Sequence, residues 1–308
     1  MRTPNVPTYP KRLPGFWPWI ETILSSPYQR RTNTPIWYNA ATAHLRSASA
    51  GTGVGLISLL IIGNEILSAQ VEDTNLKHML ASLNAAGYAI DEVRVVRDEE
   101  PVISEAIRAL SNRSRFVIST GGIGPTHDDV TLQAYAHAFG VPLIRHPDLM
   151  EKIRGFFGND IKESTLRLAM VPENTELIHT QSSSWPIIKV ANCFVLPGLP
   201  EIFVKKFAGV METLPPVPER FYAELCTSAQ EVDFAVGLTD VQARFPSVEI
   251  GSYPTFGRKE FSARVTLKSQ NIDDIRTAFD TLHTHFREIQ ALVSSSVPER
   301  YDPGRLKH

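Results

Sequence analysis

Apolar and polar positions switch between two periods along the body of this chain. Val54–Ile62 is an apolar run broken at Gly55 and Ser58, of strand length and of the kind buried on both faces. Leu76, Met79, Leu80 and Leu83 then recur at i, i+3, i+4, i+7, which is one face of a helix. Asp73 or Thr74 is placed to cap that helix, and Gly87 stands just past its end. Tyr88–Val96 predicts a second strand. Pro101 opens a helix carrying Ile103, Ala106, Ile107 and Leu110 on one face. Arg115–Thr120 predicts a third strand that runs into Thr120-Gly-Gly-Ile-Gly-Pro-Thr126. A helix starting at Asp128 would bury Leu132, Tyr135, Ala136 and Phe139 and stop at Gly140. Strands alternating with helices at this spacing require right-handed crossovers and a largely parallel sheet, with ligands at the carboxyl ends of its strands.

Past Gly140 the pattern is less regular. Pro147–Phe157 and Glu163–Ala169 read as helical and short strands follow; Cys193–Leu196 is a buried strand that ends in Pro197-Gly-Leu-Pro200. Glu201–Leu214 is helical, and Pro215-Pro-Val-Pro218 is a linker signal. Beyond it come a strand at Phe221–Thr227, a helix at Val232–Phe245, strands at Val248–Tyr253 and Phe261–Leu267, and a helix at Ile272–Phe286. The expected organisation is a leader over 1–50, an α/β domain over 54–214, a small α+β domain over 219–290 and a loose tail over 291–308. No internal repeat is present.

Composition narrows the class. The 308 residues are 43% hydrophobic and 21% charged, the proportions of an ordinary globular protein. No apolar run approaches the roughly 18 residues of a membrane-spanning helix, so no membrane association is expected. Cys193 and Cys226 form neither a CxxC pair nor a disulfide framework, which suits a reducing compartment, and the nine histidines include no HExxH. The net charge of −2 hides an asymmetry: residues 1–50 carry six Lys/Arg and one acid, together with ten Ser/Thr and seven Pro. Such a basic, Ser-rich, acid-poor leader has the composition of an organelle transit peptide, and equally of a basic tail or a misassigned start. The expected location is mitochondrial or cytoplasmic. The acidic remainder argues against a nucleic-acid partner, whose phosphates need clustered Lys/Arg.

Three segments leave the predicted strands carrying polar residues that packing does not require. They are Gly63-Asn64-Glu65 with Asp73-Thr74-Asn75 beyond it, Arg97-Asp98-Glu99-Glu100, and Thr120 through Thr131. In a parallel sheet all three reach one edge. Glycines there let backbone amides approach a phosphate, and a helix start adds partial positive charge. Carboxylates converging on the same edge can hold a divalent cation that neutralises phosphate charge. Each piece also has a plain structural reading. The glycine loop is then a tight turn, Asp73 and Asp128 are helix caps, Asp98 is a turn residue and Glu65 a solvated charge. His127 is likewise a loop hydrogen-bonder, His283 and His285 are surface residues, and Cys193 is core.

The wording and order of these motifs add more. Gly63-Asn-Glu-Ile-Leu-Ser68, Val71-Glu-Asp-Thr-Asn75, Val95-Val-Arg-Asp-Glu99, Thr120-Gly-Gly-Ile-Gly-Pro-Thr-His-Asp-Asp-Val-Thr131 and Leu196-Pro-Gly-Leu-Pro-Glu201 resemble the molybdopterin-binding (MoaB/Mog-type) domain. Within it they resemble most the version at the N-terminus of eukaryotic FAD synthases and in CinA-type proteins. The resemblance covers about 54–214 and extends more weakly to about 290, through Ile250-Gly-Ser-Tyr-Pro254 and Phe261–Leu267.

It implies a three-layer α/β/α sandwich with the site at the glycine loop and self-association into a homo-oligomer. In the molybdopterin adenylyltransferases two aspartates serve the site, and Asp98 and Asp129 stand in those places. Asp128 stands where those enzymes have arginine, a change typical of the FAD-synthase and CinA branch, which is associated with hydrolysing FAD or ADP-ribose. FAD synthases also carry an ATP-pyrophosphatase-type domain marked by Ser-Gly-Gly. The 308 residues hold no Ser-Gly-Gly and leave no room for it, so FAD synthesis is not expected.

The resemblance therefore implies a metal-dependent pyrophosphatase acting on FAD or ADP-ribose, using Mg²⁺, Mn²⁺ or Co²⁺. Asp98, Asp128 and Asp129 would hold the metal, and Asp98, Asp129 and His127 would serve catalysis. Gly63, Glu65, Asp73, Asn75, Thr120, Gly121, Gly122, Gly124, Thr126, Pro197 and Gly198 would contact the ligand, a dinucleotide or pterin. The rival expectations are a molybdopterin adenylyltransferase-like enzyme, and a non-catalytic flavin or pterin binder that regulates a separate protein.

Overall fold

The computed structural model describes residues 56–158, 161–181, 183–255 and 260–301. The leader over 1–50 and residues 302–308 of the tail lie outside them. The chain divides into two compact units, one holding residues up to Met79 together with Ile90–Leu214, the other Leu80–Ala89 together with the chain from Pro215.

The first unit is built on a six-stranded sheet of order β2-β1-β3-β8-β7-β6. Its strands are β1 (Ile57–Ile62), β2 (Ile90–Val96), β3 (Phe116–Thr120), β6 (Glu176–Thr180), β7 (Ser183–Val190) and β8 (Cys193–Leu196), while β4 (Leu143–Arg145) and β5 (Met170–Pro172) form a separate antiparallel pair. The pairings from β2 through β8 are parallel, and β7 and β6 return antiparallel. The helices are α1 (Asn64–Leu67), α2 (Thr74–Ala85, of which the residues from Leu80 on count with the second unit), α3 (Glu100–Arg113), α4 (Thr131–Phe139), α5 (Pro147–Phe157), α6 (Glu163–Leu166) and α7 (Pro200–Thr213).

Every residue of β1 is buried, so both of its faces are covered. On one face Leu60 and Ile62 join Ile103, Ile107 and Leu110 of α3 and Tyr135 of α4 in one core cluster. The alternate residues Leu59, Ile61, Ile118 and Leu196 are also fully buried, on the other face of the pleat. The result is the three-layer α/β/α arrangement with a mostly parallel sheet. Among the described residues no helix is long and apolar enough to cross a membrane.

The second unit follows as β9 (Phe221–Thr227), α8 (Glu231–Arg244), β10 (Glu249–Pro254), β11 (Ala263–Ser269), α9 (Ile272–Glu288) and β12 (Leu292–Arg300). Its sheet has the antiparallel order β10-β11-β9-β12, and Leu225, Val265, Phe279, Leu282 and Phe286 fill its core.

Three expectations need correction. Residues 291–308 are not simply a loose tail, because Leu292–Arg300 pairs antiparallel with β9. Six of its nine residues are exposed and none is fully buried, so backbone pairing chiefly holds the strand and no apolar alternation announces it. The helix after the glycine loop begins at Thr131, three residues later than expected. The carboxylates of Asp128 and Asp129 fold back onto Thr126 instead of capping that helix. His283 and His285 are half-buried rather than surface residues. His283 stacks on Phe279 at 5.7 Å between centroids, and the His285 ring occupies space left open by Gly237.

Candidate active site

The parallel register brings the ends of β1, β3 and β8 together, with Ile61 beside Thr120 and Thr120 beside Leu196. Three buried or backbone groups then tie the loops that leave these strands. The Thr120 hydroxyl donates to the Pro197 carbonyl at 2.9 Å. The Asn75 amide donates to the Gly198 carbonyl at 2.7 Å and reaches Thr120 Oγ1 at 3.4 Å. Gly121 N–H donates to the Leu196 carbonyl at 3.1 Å.

The glycine loop has positions that only glycine fits. Gly121 has φ +108°, and a Cβ there would lie 2.0 Å from the Ile62 carbonyl oxygen. Gly122 has φ +64°, and a Cβ would lie 2.3 Å from Thr131 Oγ1. Thr131 clamps the loop from the helix start, its hydroxyl donating to the Gly121 carbonyl and its N–H to the Gly122 carbonyl.

The acidic residues are positioned by short bonds. Asp98 Oδ2 accepts from the Asn64 amide at 2.7 Å. Asp129 Oδ2 accepts from the Thr126 amide at 2.8 Å, and the Thr126 hydroxyl lies 2.5 Å from both Asp129 Oδ2 and Asp128 Oδ1. The Thr126 hydroxyl, and next the backbone amide of Asp128 itself, hold the Asp128 carboxyl below the usual carboxylate range.

A cavity of about 550 Å³ opens here. Of the residues to which the resemblance gives a role, Glu65, Asp98, Gly121, Gly122, Gly124, Thr126, Asp128, Asp129, Pro197 and Gly198 line it. Five expected residues do not. Thr120 and Asn75 lie beneath it and hold its loops. Asp73 caps α2, its Oδ1 accepting from Leu76 N–H at 3.0 Å. Gly63 donates to the Val96 carbonyl. His127 has a side chain 97% exposed, with Nδ1 3.9 Å from Asp128 Oδ1, so it is not positioned as a proton carrier for the cavity. Among the described residues no three His, Cys, Asp or Glu side chains converge as a ready-made metal cage.

The rest of the wall is apolar apart from Ser183, whose hydroxyl donates to the Trp185 carbonyl at 2.9 Å, and one lysine. Leu168, Trp185, Ile188 and Ile202 line it together with Lys206, which the motifs do not reveal. Lys206 follows Lys205 and reads as half of a solvated pair, yet Phe203, Lys206, Phe207 and Val210 share i, i+3, i+4, i+7 spacing and are all buried. That stripe is the signal that places Lys206 inside. Burial, reinforced by the nearby charge of Lys152, pushes its ammonium down to about 7. Between pH 7 and 9 the unfolded chain therefore binds a proton that the folded chain sheds, so stability rises with pH across this window. Thermal melts at pH 7, 8 and 9 are expected to show that rise, and Lys206→Met to reduce it.

A mostly parallel α/β domain with a glycine-loop cavity at its carboxyl edge belongs to the ligand-binding α/β class. The chain is a member of the family described as "Probable molybdopterin binding domain", whose model matches residues 58–216. A second model, "FAD synthase, middle domain", matches residues 220–293. A "Probable FAD synthase" of Caenorhabditis briggsae is 32% identical over 255 residues, covering 73% of this chain and 49% of the relative. A "CinA-like protein" of Syntrophotalea carbinolica is 32% identical over 171 residues, covering 53% of this chain and 41% of the relative. A crystal structure of the protein CinA from Thermoplasma acidophilum is 28% identical and covers 52% of this chain and 98% of its own, with a TM-score of 0.48. The chain thus spans about half the length of the curated FAD synthase relatives it matches.

Proposed function

We propose that this protein is a metal-dependent nucleotide pyrophosphatase that hydrolyses FAD, or the related ADP-ribose, to AMP and a second monophosphate. The observation that carries the reading is the shared cavity wall: Asp98, Asp128 and Asp129 line the same space as Gly121, Gly122 and Gly124. A relative named for FAD agrees with a flavin-bearing dinucleotide as ligand.

The donor set fits a hard cation. Magnesium is commonly held by one or two carboxylates with substrate phosphates completing its shell, so three converging protein carboxylates are not required. Asp128 and Asp129, joined through Thr126, would supply that pair, with Asp98 on the same wall. The bound cation would neutralise phosphate charge and make phosphorus more open to attack. Backbone amides of the glycine loop would hold the pyrophosphate in place. A water would add to one phosphorus as the bridging P–O bond breaks, the bridging oxygen leaving on the other phosphate. With His127 turned to solvent, the proton from that water falls to a carboxylate of the wall, Glu65 or Asp98.

The test incubates the full chain with FAD or ADP-ribose and Mg²⁺, Mn²⁺ or Co²⁺, and follows AMP. Metal-dependent AMP release is the expected result. Adenylylation of molybdopterin by ATP, or saturable binding of FAD without turnover, would overturn the reading.

A further inference from the structure

Lys206 has no part in that hydrolysis. It is 6% exposed, and its Nζ donates to the Trp185 carbonyl at 2.9 Å and the Pro186 carbonyl at 2.6 Å. Below pH 7, where it keeps its proton, it is an ammonium with three N–H protons, and these bonds leave one uncommitted. Among the described residues no carboxylate lies within ion-pair distance of it, and the charge that acts on it is the like charge of Lys152. A buried cation without a counter-charge is costly, and an apolar residue of similar volume would suit this site better for stability alone. Its position on the cavity wall supplies another reason for it to be there.

The surroundings define what it would meet. Trp185, Leu168, Ile188 and Ile202 line the cavity with it and offer contact surface but no charge. Lys152 is engaged with the Ser184 carbonyl at 3.0 Å. A phosphate dianion needs several donors, and this wall offers one uncommitted proton, the Ser183 hydroxyl being already donated to the Trp185 carbonyl and the other neighbours apolar. A flat ring with a carbonyl oxygen needs one donor and a large apolar face, which matches.

We propose that Lys206 and Trp185 form a ring subsite of the cavity, which takes a heteroaromatic ring bearing a carbonyl oxygen, with Lys206 Nζ donating to that oxygen. This rests on the dinucleotide reading above and deepens it. Adenine has no carbonyl, whereas a flavin ring has two, so the subsite selects the flavin end of FAD and disfavours ADP-ribose.

Calorimetric titration of the full chain with FMN, neopterin and AMP at pH 6, where Lys206 carries its proton, tests this. Lys206→Met is expected to weaken FMN binding about 10–100-fold, the loss of one charge-assisted hydrogen bond, and to leave AMP binding within twofold. Lys206→Gln, which keeps a donor, is expected to recover part of the loss. A comparable loss for neopterin would extend the ring class to pterins, and an unchanged neopterin affinity would restrict it to flavins. Trp185→Leu leaves the backbone acceptors of Lys206 in place and is expected to cost about tenfold for FMN, which keeps the proposal testable where Lys206→Met fails to fold. Equal loss for FMN and AMP would mark Lys206 as a structural tie between α7 and β7 and overturn the subsite. Unchanged FMN affinity in either variant, or no FMN binding by the wild type, would do the same. The two readings fail separately. Ring-selective binding without AMP release rejects hydrolysis alone, and AMP release with FMN affinity indifferent to Lys206 rejects the subsite alone.

Discussion

Asp129→Asn is expected to lower metal-dependent AMP release from FAD by about 10²–10³, with little change in melting temperature. The substitution is nearly isosteric, and an amide oxygen can still accept from the Thr126 amide, which now meets Asp129 Oδ2 at 2.8 Å. What it removes is negative charge on the wall of the proposed metal site, and loss of one strong electrostatic stabiliser has an effect of that order. FMN and AMP affinity should fall less, because the glycine-loop amides remain. Asp128→Arg is expected to depress turnover as well, by setting positive charge beside the cation. Since α4 starts at Thr131, neither substitution removes a cap from that helix, so a loss of activity in either is not a disguised loss of capping. Wild-type turnover in both variants would sink the carboxylate mechanism.

Gly121→Ala is expected to destabilise the first unit by about 3–5 kcal/mol, combining left-handed strain with forced backbone displacement. The added Cβ would sit 2.0 Å from the carbonyl oxygen of Ile62, on the inner, fully buried strand β1, and a backbone atom there cannot rotate aside. In a domain of this size that corresponds to a fall in melting temperature of about 10 °C or more. Gly198→Ala is the contrast: its Cβ would lie 3.4 Å from Gly121 Cα, near ordinary contact, and a change under about 1 kcal/mol is expected. Equal melting temperatures for the two variants would show that the loop relaxes in a way this geometry excludes.

Much of this architecture was legible because burial and period coincide. The apolar run of β1 is buried on both faces, and Ile103, Ala106, Ile107 and Leu110 are all buried on α3 as their spacing requires. The glycine loop was legible because its backbone geometry leaves no alternative residue at Gly121 and Gly122. The misses have physical causes. β12 is held chiefly by its backbone partners, with Leu292 packed on the core and most of the other side chains facing water, so no hydrophobic alternation records it. Asp128 and Asp129 have the chemistry of helix caps, but Thr126 competes for the same oxygens and wins. Lys206 was hidden because a charge is ordinarily read as solvent-facing, although its helical phase puts it inside. His127 is next to the right residues in sequence and still points away, because adjacent loop side chains need not share a direction.

Asn75 gives the cavity floor a place in the order of folding. Its single amide spans a separation of 123 residues to Gly198 and 45 to Thr120, so three distant stretches of chain must already have met before the bond can close. Contacts of such long range carry the largest loop-closure entropy and are made late. Early, locally helical intermediates would therefore have no ligand site, and a ligand would act only on the finished domain, drawing the folding equilibrium toward it in proportion to its occupancy.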